Sequence, residues 1–344
     1  MSVLTSPASG FAVDWHANLD DYIVDLAWSS AGKFLTAMTV EGVVQAWNLD
    51  SGERCLSGLH AGGGASVSWR PDDLQLASIG HDGKVRIWYA PSGTLLHELD
   101  AGAHWGTRVA WKPNGARLAA AAGRTVRIFD NGGHLHYQYS EHPSTVTDIG
   151  WNPDGSALAS SAYLGVSLHI PGKPLREFSW KGSSLALAWS PDSRFIATGE
   201  QDQSVHLWYV RTGRDSQMSG FAVRVEELSW DYTSKYLATG GSDTVVIWDC
   251  SGAGPEGRRP LMLESHNTRI TQLQYQPRGP LLASGDAEGV VFLWAPRSRS
   301  TPVAIARLGS RISKLAWAAD QKRLLVGTQR GNVVVLRVTL ESGQ

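Results

Sequence analysis

Short apolar runs that end on an aromatic residue recur along the whole chain at nearly constant spacing. They close at Trp28 (IVDLAW), Trp69 (ASVSW), Trp111 (TRVAW), Trp151 (VTDIGW), Trp189 (LALAW), Trp230 (VEELSW), Tyr275 (ITQLQY) and Trp317 (ISKLAW), with steps of 41, 42, 40, 38, 41, 45 and 42 residues. After most of these anchors comes a Pro-Asp or Asp-Gly turn, then a small-residue strand such as Leu76-Ala77-Ser78 or Ile196-Ala197-Thr198. A tight turn and a second apolar strand follow, the latter ending at Trp47, Trp88, Phe129, His169, Trp208, Trp248, Trp294 or Leu336. Strand-length runs separated by turn residues predict three-strand meanders. A fourth segment, such as 174–178, completes each unit as four antiparallel strands.

A single unit cannot bury both of its faces, so the units must stack, and a ring covers all of them. Eight meanders need eight outer strands, and seven of these follow their own meanders. The eighth is expected from residues 11–19, paired beside 332–337. The fold class expected is therefore all-β, a single closed propeller of eight four-stranded blades with the N-terminal strand closing the last blade. Seven blades is the alternative if one repeat is misread. The inner meanders are predicted at about 22–48, 63–89, 105–130, 145–170, 183–209, 224–249, 269–295 and 311–337. The propeller is expected over 11–340, with an N-terminal extension 1–10 and a C-terminal tail 341–344.

In one repeat His60, Ser78, Asp82 and Trp88 stand at the spacing of a buried polar chain, and there the sequence resembles the WD40-repeat family over about residues 11–340. In that family a His–Ser/Thr–Asp–Trp network ties the loop before the innermost strand to the outer strands. Each buried donor and acceptor must find a partner, and a connected network fixes the turn. The seventh repeat keeps His266, Ser284 and Trp294, with Glu288 in the place of the acid. The fifth keeps Thr198, Asp202 and Trp208, with Trp180 in the histidine slot, while the third and fourth lose the acid and the terminal Trp.

Composition adds little to the fold and more to the function. A formal net charge of −1 gives no long-range attraction to phosphate, so nucleic acid is an unlikely partner class. Cys55 and Cys250 form no CxxC, which suits a reducing compartment. Residues 1–10 lack the pattern of a signal peptide and no run has the length of a membrane helix, so a cytoplasmic address without membrane contact is expected. Gly252, Gly254 and Gly257 spell a dinucleotide fingerprint, but Pro255 and the strand-like segment behind it deny the helix that such a site requires. No nucleophile elbow, Walker-type loop or HExxH is present, so no catalytic residue, enzyme activity or cofactor is expected. His134 and His136 share a face of one outer strand and are the weak candidates for a metal site, but no carboxylate or Cys stands at ligand spacing.

What remains is recognition. Three residues before the anchors stand Asp25, Ser66, Arg108, Asp148, Ala186, Glu227, Gln272 and Lys314. Six before them stand Tyr22, Gly63, Trp105, Thr145, Ser183, Arg224, Arg269 and Arg311. The family resemblance implies that such positions surround the channel mouth, a common place for peptides. Of the 15 tryptophans, twelve fill anchor or strand-end positions, Trp15 falls on the closing strand and Trp180 in a network slot. Trp105 is left over, and Trp and Arg are the residue types that supply binding hot spots. The expected partner site is Trp105, Arg108, Tyr22, His81, Tyr163, Arg224, Arg269, Arg311 and Lys314, with basic residues in blades six to eight opposite Asp25 and Asp148. That polarity suits an acidic peptide. A second basic group, Arg258, Arg259, Arg297 and Arg299, is expected on the opposite face. The function expected is a scaffold or adaptor, monomeric by itself, that binds one or more proteins or peptides. A metal- or small-ligand-binding accessory protein is the alternative, and a propeller enzyme the third reading.

Overall fold

The computed structural model describes Leu4, residues 9–139 and residues 142–340. Most of the expected N-terminal extension and all of the tail 341–344 lie outside the described residues. Those described form thirty strands and no helix. Hydrogen bonds gather them into seven sheets, six of four strands and one of six. The fold is thus an all-β propeller whose sheets number seven, where the repeat spacing predicts eight separate blades.

The difference lies in the fourth and fifth repeats. Leu158–His169 is assigned as one strand, yet its first part pairs with Asp148–Trp151 and its second part, from Tyr163, with Arg176–Trp189. It reverses at Leu164 and Gly165, both at positive φ (74° and 113°). A Cβ on Gly165 would run into the Phe178 carbonyl, so this turn requires glycine. Arg176–Trp189 likewise serves twice. Residues 176–183 form the outer strand of the fourth meander, and 184–189 pair with Phe195–Glu200 as the inner strand of the fifth. With no break between the two roles, two repeats share one sheet of six strands.

The innermost strands touch in succession, from Ile23–Trp28 through Gly64–Trp69 and onward to Ile312–Trp317, which returns to Ile23–Trp28. The ring is sealed by Phe11–Asn18, which pairs antiparallel with Asn332–Val338. Apolar clusters fill the spaces between neighbouring sheets; Ala77, Ile79, Val85 and Ile87, for example, meet Val109, Trp111, Leu118 and Ala120 of the next sheet. Small residues on the second strands let adjacent sheets approach closely near the axis, where a ring of wedges is narrowest.

The anchors link the sheets by direction as well as by packing. The indole N–H of Trp28, Trp151, Trp189, Trp230 and Trp317 donates to the carbonyl of Ala316, Ala110, Gly150, Ala188 and Gln274 respectively, at 2.9–3.2 Å. Each acceptor is the residue just before the preceding repeat's anchor. Among the described residues the same N–H of Trp69 and Trp111 finds no partner.

Candidate functional site at the channel mouth

The inner strands carry a repeated irregularity that a count of apolar positions does not reveal. In six of them the register slips four residues before the anchor, at Val24, Ala65, Thr107, Leu185, Thr271 and Ser313. A bulge inserts one unpaired residue and re-aims its neighbours. The next position, three before the anchor, lines the channel: Arg108, Asp148, Ala186, Glu227, Gln272 and Lys314 bound a cavity of 320 Å³.

Around this channel the charges meet as partners. Asp25 is buried and accepts the Val67 N–H at 3.0 Å. It lies 3.5 Å from Lys314 and 3.9 Å from Arg108, and Arg108 reaches Asp148 at 3.1 Å. Burial works to raise the Asp25 carboxyl, but Lys314, Arg108 and the Val67 N–H outweigh it and hold the group below the usual carboxylate range. The charge of Asp148 in turn raises the Arg108 guanidinium. On the far side Glu227 lies 3.8 Å from Arg269, and burial pushes its carboxyl up in spite of that arginine. Arg224 pairs with Glu226 at 2.6 Å.

The basic arc expected to face Asp25 and Asp148 is therefore largely neutralised from within. Among the described residues Arg311 is the member of that group without an ion pair. Arg108 and Lys314 are part of the channel wall more than of an open binding surface.

Trp105 stands apart from this wall. It is 65% exposed and its backbone is held at φ 64°, a left-handed conformation uncommon outside glycine. Its N–H donates to the His81 carbonyl and its own carbonyl accepts from Gly123 N–H, both at 3.2 Å. Its ring sits 4.7 Å from the His81 imidazole. Tyr163, 45% exposed, stands in the fourth repeat where His81 stands in the second, and Ser144 Oγ accepts its N–H at 2.9 Å. Tyr22 is half-buried and its carbonyl accepts from Val40 N–H, tying the mouth loop to the first meander.

The structural networks are present with altered membership. His60 Nδ1 lies 3.0 Å from Asp82 and Nε2 2.9 Å from Ser78, whose Oγ accepts the Trp88 indole at 2.9 Å. In the seventh repeat the acid is Asp286, 2.8 Å from His266 Nδ1, and not Glu288, which is exposed in the turn. Ser284 bridges His266 and Trp294 as expected. Asp286 is two residues beyond Ser284, on the same strand face, whereas Glu288 has passed into the turn.

In the fifth repeat Trp208 donates to Thr198, but Asp202 is exposed and among the described residues accepts only from Ser204. The buried acid there is Glu200, again two residues on, which accepts the Ser184 hydroxyl at 2.8 Å. Trp180 instead lies tilted against His206, ring centroids 4.0 Å apart, and His206 Nδ1 faces Asp215 at 3.2 Å.

The fourth repeat rebuilds its network from imidazoles. His142 Nε2 is 2.8 Å from Ser160 Oγ, and His169 Nε2 is 2.9 Å from the same oxygen. Burial holds His169 neutral, lowering it to about 3.

The metal candidates do not converge. His134 is exposed and its Nδ1 faces Asp130, while His136 meets the Tyr137 ring edge-on and lies 3.4 Å from Arg117. Among the described residues no three His, Cys, Asp or Glu side chains come together as a metal site. Among the described residues there is no helix long and apolar enough to cross a membrane.

Comparison with known proteins agrees with this architecture. The family profile described as WD domain, G-beta repeat matches residues 55–89, 133–165, 172–209, 217–249 and 257–295, just over half of the chain. The chain is 24% identical over 299 residues to the WD repeat-containing protein WDS homolog of Arabidopsis thaliana, covering 80% of this chain and 56% of that protein. It is 27% identical over 297 residues to WD repeat-containing protein slp1 of Schizosaccharomyces pombe, covering 80% and 59%. It is 25% identical over 197 residues to THO complex subunit 3 of Arabidopsis thaliana, covering 54% and 61%. The chain spans less than two thirds of the length of each of these relatives. Among solved structures it is similar to the computationally designed protein Ika8, with a TM-score of 0.78 at 21% identity, covering 93% of this chain and 98% of that one. That likeness concerns the fold alone.

Proposed function

We propose, on the premise that this chain belongs to the WD40 family, that it is a non-enzymatic scaffold or adaptor holding a protein or peptide partner at its channel mouth. The observation that carries this reading is Trp105, a large aromatic left exposed on a left-handed backbone that hydrogen bonds pin to the turns at His81 and Gly123. Such backbone costs of order 1 kcal/mol and persists where the surroundings over-determine it. Here the cost presents a preordered ring, and preorder is what a hot-spot residue needs to bind without losing side-chain freedom. His81 backs the ring, and Tyr22, Tyr163 and Arg311 supply the rest of the surface. Arg108, Lys314, Arg269 and Arg224 act through the channel wall that supports it.

Membership of a complex is part of the proposal, since one matched relative is itself named as a complex subunit. So is a cytoplasmic address, which suits two unpaired cysteines. We also take the six-stranded sheet to work as two radial units, because each of its halves has its own inner strand and its own anchor indole bond. That reading keeps eight channel-facing positions.

The test is affinity capture from the native cell with wild-type and Trp105→Ala protein, followed by quantitative mass spectrometry. A partner lost by at least tenfold from the variant, with the melting temperature unchanged, is the expected outcome. Equal recovery of every specific partner would sink the assignment of the site.

A further inference from the structure

The third strand of the fourth repeat ends on His169, where five of the eight repeats carry an indole. This smaller ring borders a cavity of 270 Å³, together with Tyr139, His142, Pro143, Leu175 and Glu177. The cavity lies between the outer strand of the third repeat, Leu135–Tyr139, and the paired outer strands of the fourth. Its lining holds one carboxylate, Glu177, and no lysine or arginine. Glu177 is exposed and makes no ion pair among the described residues. Arg124 and Arg127 bond to lining residues, through the His142 carbonyl and the Gln138 side chain, but neither borders the cavity.

The partners of the two imidazoles fix where their protons sit. His142 Nδ1 donates to the Arg124 carbonyl at 3.1 Å, so its Nε2 accepts the Ser160 hydroxyl at 2.8 Å. Ser160 has then used its single hydrogen, and His169 Nε2 donates to the same oxygen at 2.9 Å. His169 Nδ1 is left as a bare lone pair. The residue is 2% exposed, and that nitrogen finds no donor among the described residues. A buried acceptor without a donor is uncommon, and a donor brought to it is stabilising. Burial holds both imidazoles below their ordinary range, so Glu177 is the charged group of the lining.

We infer that this cavity is a second docking site, for a lysine side chain inserted by a segment of a partner protein. An ammonium carries three donors and no acceptor, which complements a carboxylate and a lone pair that both lack a donor. The Tyr139 ring, its centroid 4.1 Å from that of His169, adds an aromatic wall that favours a cation. Leu175 and Pro143 receive the aliphatic stem. A neutral side chain of the same length keeps the stem contact alone, and an acidic one meets Glu177 as like charge. An exposed charge pair is weak by itself, so the pair and the hydrogen bond together are expected to separate lysine from its neutral isostere by about tenfold.

The test uses fluorescence anisotropy with the full chain and labelled pentapeptides that differ only at the centre: GAKAG, the same peptide with norleucine for lysine, and GAEAG. The lysine peptide should bind at least about tenfold more tightly than the norleucine peptide, and the glutamate peptide most weakly. Glu177→Gln should weaken lysine-peptide binding at least about fivefold and Leu175→Arg at least about tenfold, each with an unchanged melting temperature because both side chains are exposed. Glu53→Gln makes the same charge change at an exposed position in the first repeat and should leave binding unaltered, as should Trp105→Ala. At saturation the nitrogen resonance of His169 Nδ1 should move with the lysine peptide and stay in place with the norleucine one. Equal affinity for lysine and norleucine peptides, no binding of the lysine peptide at millimolar concentration, equal losses in Glu177→Gln and Glu53→Gln, or an unmoved His169 resonance would each overturn the inference. None of these results bears on whether Trp105 receives a different partner at the mouth.

Discussion

A carboxylate two residues beyond the network Ser or Thr stays on the buried strand face; one four residues beyond lies in the turn, from which Asp82 reaches its network histidine while in the seventh repeat Asp286 takes that place. Repeat seven separates these roles in a single pair. Asp286 is buried against His266, while Glu288 is exposed and holds only a backbone contact to Asp286. Asp286→Ala leaves His266 Nδ1 buried without a partner and should cost about 1–3 kcal/mol. Glu288→Ala should stay within about 0.5 kcal/mol of wild type, as surface changes away from such features do. Chemical denaturation of the two variants checks the contrast, and equal destabilisation would return the role to Glu288. The same scale explains what the fourth repeat did with its lost Trp. His142 Nδ1 faces the Arg124 carbonyl at 3.1 Å and so carries the proton, which leaves Nε2 to accept from Ser160. Ser160 then accepts the N–H of His169 where other repeats supply an indole.

At the scale of the strand, most of the fold was legible because each unit repeats a turn-punctuated apolar run, and an error in one unit is corrected by its neighbours. The closing strand was legible by elimination, since the meanders expected from the spacing leave one outer edge empty. The inner-strand bulges were not, because the skipped positions hold residues as different as Val24, Thr107 and Ser313 and share only their place in the register. The merging of repeats four and five was hidden for a related reason. Trp180-Lys181-Gly182 reads as a break between strands, but the backbone continues through it. Of the candidate site, Trp105 emerged from the sequence as the tryptophan without a repeat role, whereas the pairing of the mouth arginines depends on distances across the ring. The closing strand gives the clearest expectation at this scale. It seats Phe11 in the core and sets Trp15 5.2 Å from Trp47. Two large side chains at about 1.5–3 kcal/mol each imply that deleting residues 1–18 lowers the melting temperature by about 10 °C. The bared edge of Asn332–Val338 should also promote self-association, seen by light scattering. Arg337→Ala removes only the exposed pair with Asp14 and should cost less than about 1 kcal/mol.

Across the whole molecule, the ring brings residues remote in sequence into one electrostatic unit at the axis. Lys314 comes from the last repeat, Asp25 from the first, Arg108 from the third and Asp148 from the fourth, and their contacts run around nearly half of the channel wall. Asp25 is the keystone of this arc because it also accepts the Val67 N–H from the second repeat. Asp25→Asn removes the charge that Lys314 and Arg108 face, in a group with almost no contact with water, and should cost about 1–3 kcal/mol at pH 7. The pH dependence follows from the direction of the shift. The folded carboxyl titrates below the unfolded one, so its contribution is complete above the ordinary carboxylate range and is lost as pH falls through the folded value. The difference between Asp25→Asn and wild type should therefore hold from pH 7 to about 5 and shrink steadily as pH falls below the ordinary carboxylate range, because the unfolded wild-type chain then takes up a proton at Asp25 that the folded chain still excludes. Denaturant midpoints across that interval measure it. A difference that grows on acidification would mean that Asp25 is held as the neutral acid, and that the arc is organised by hydrogen bonds instead of by charge.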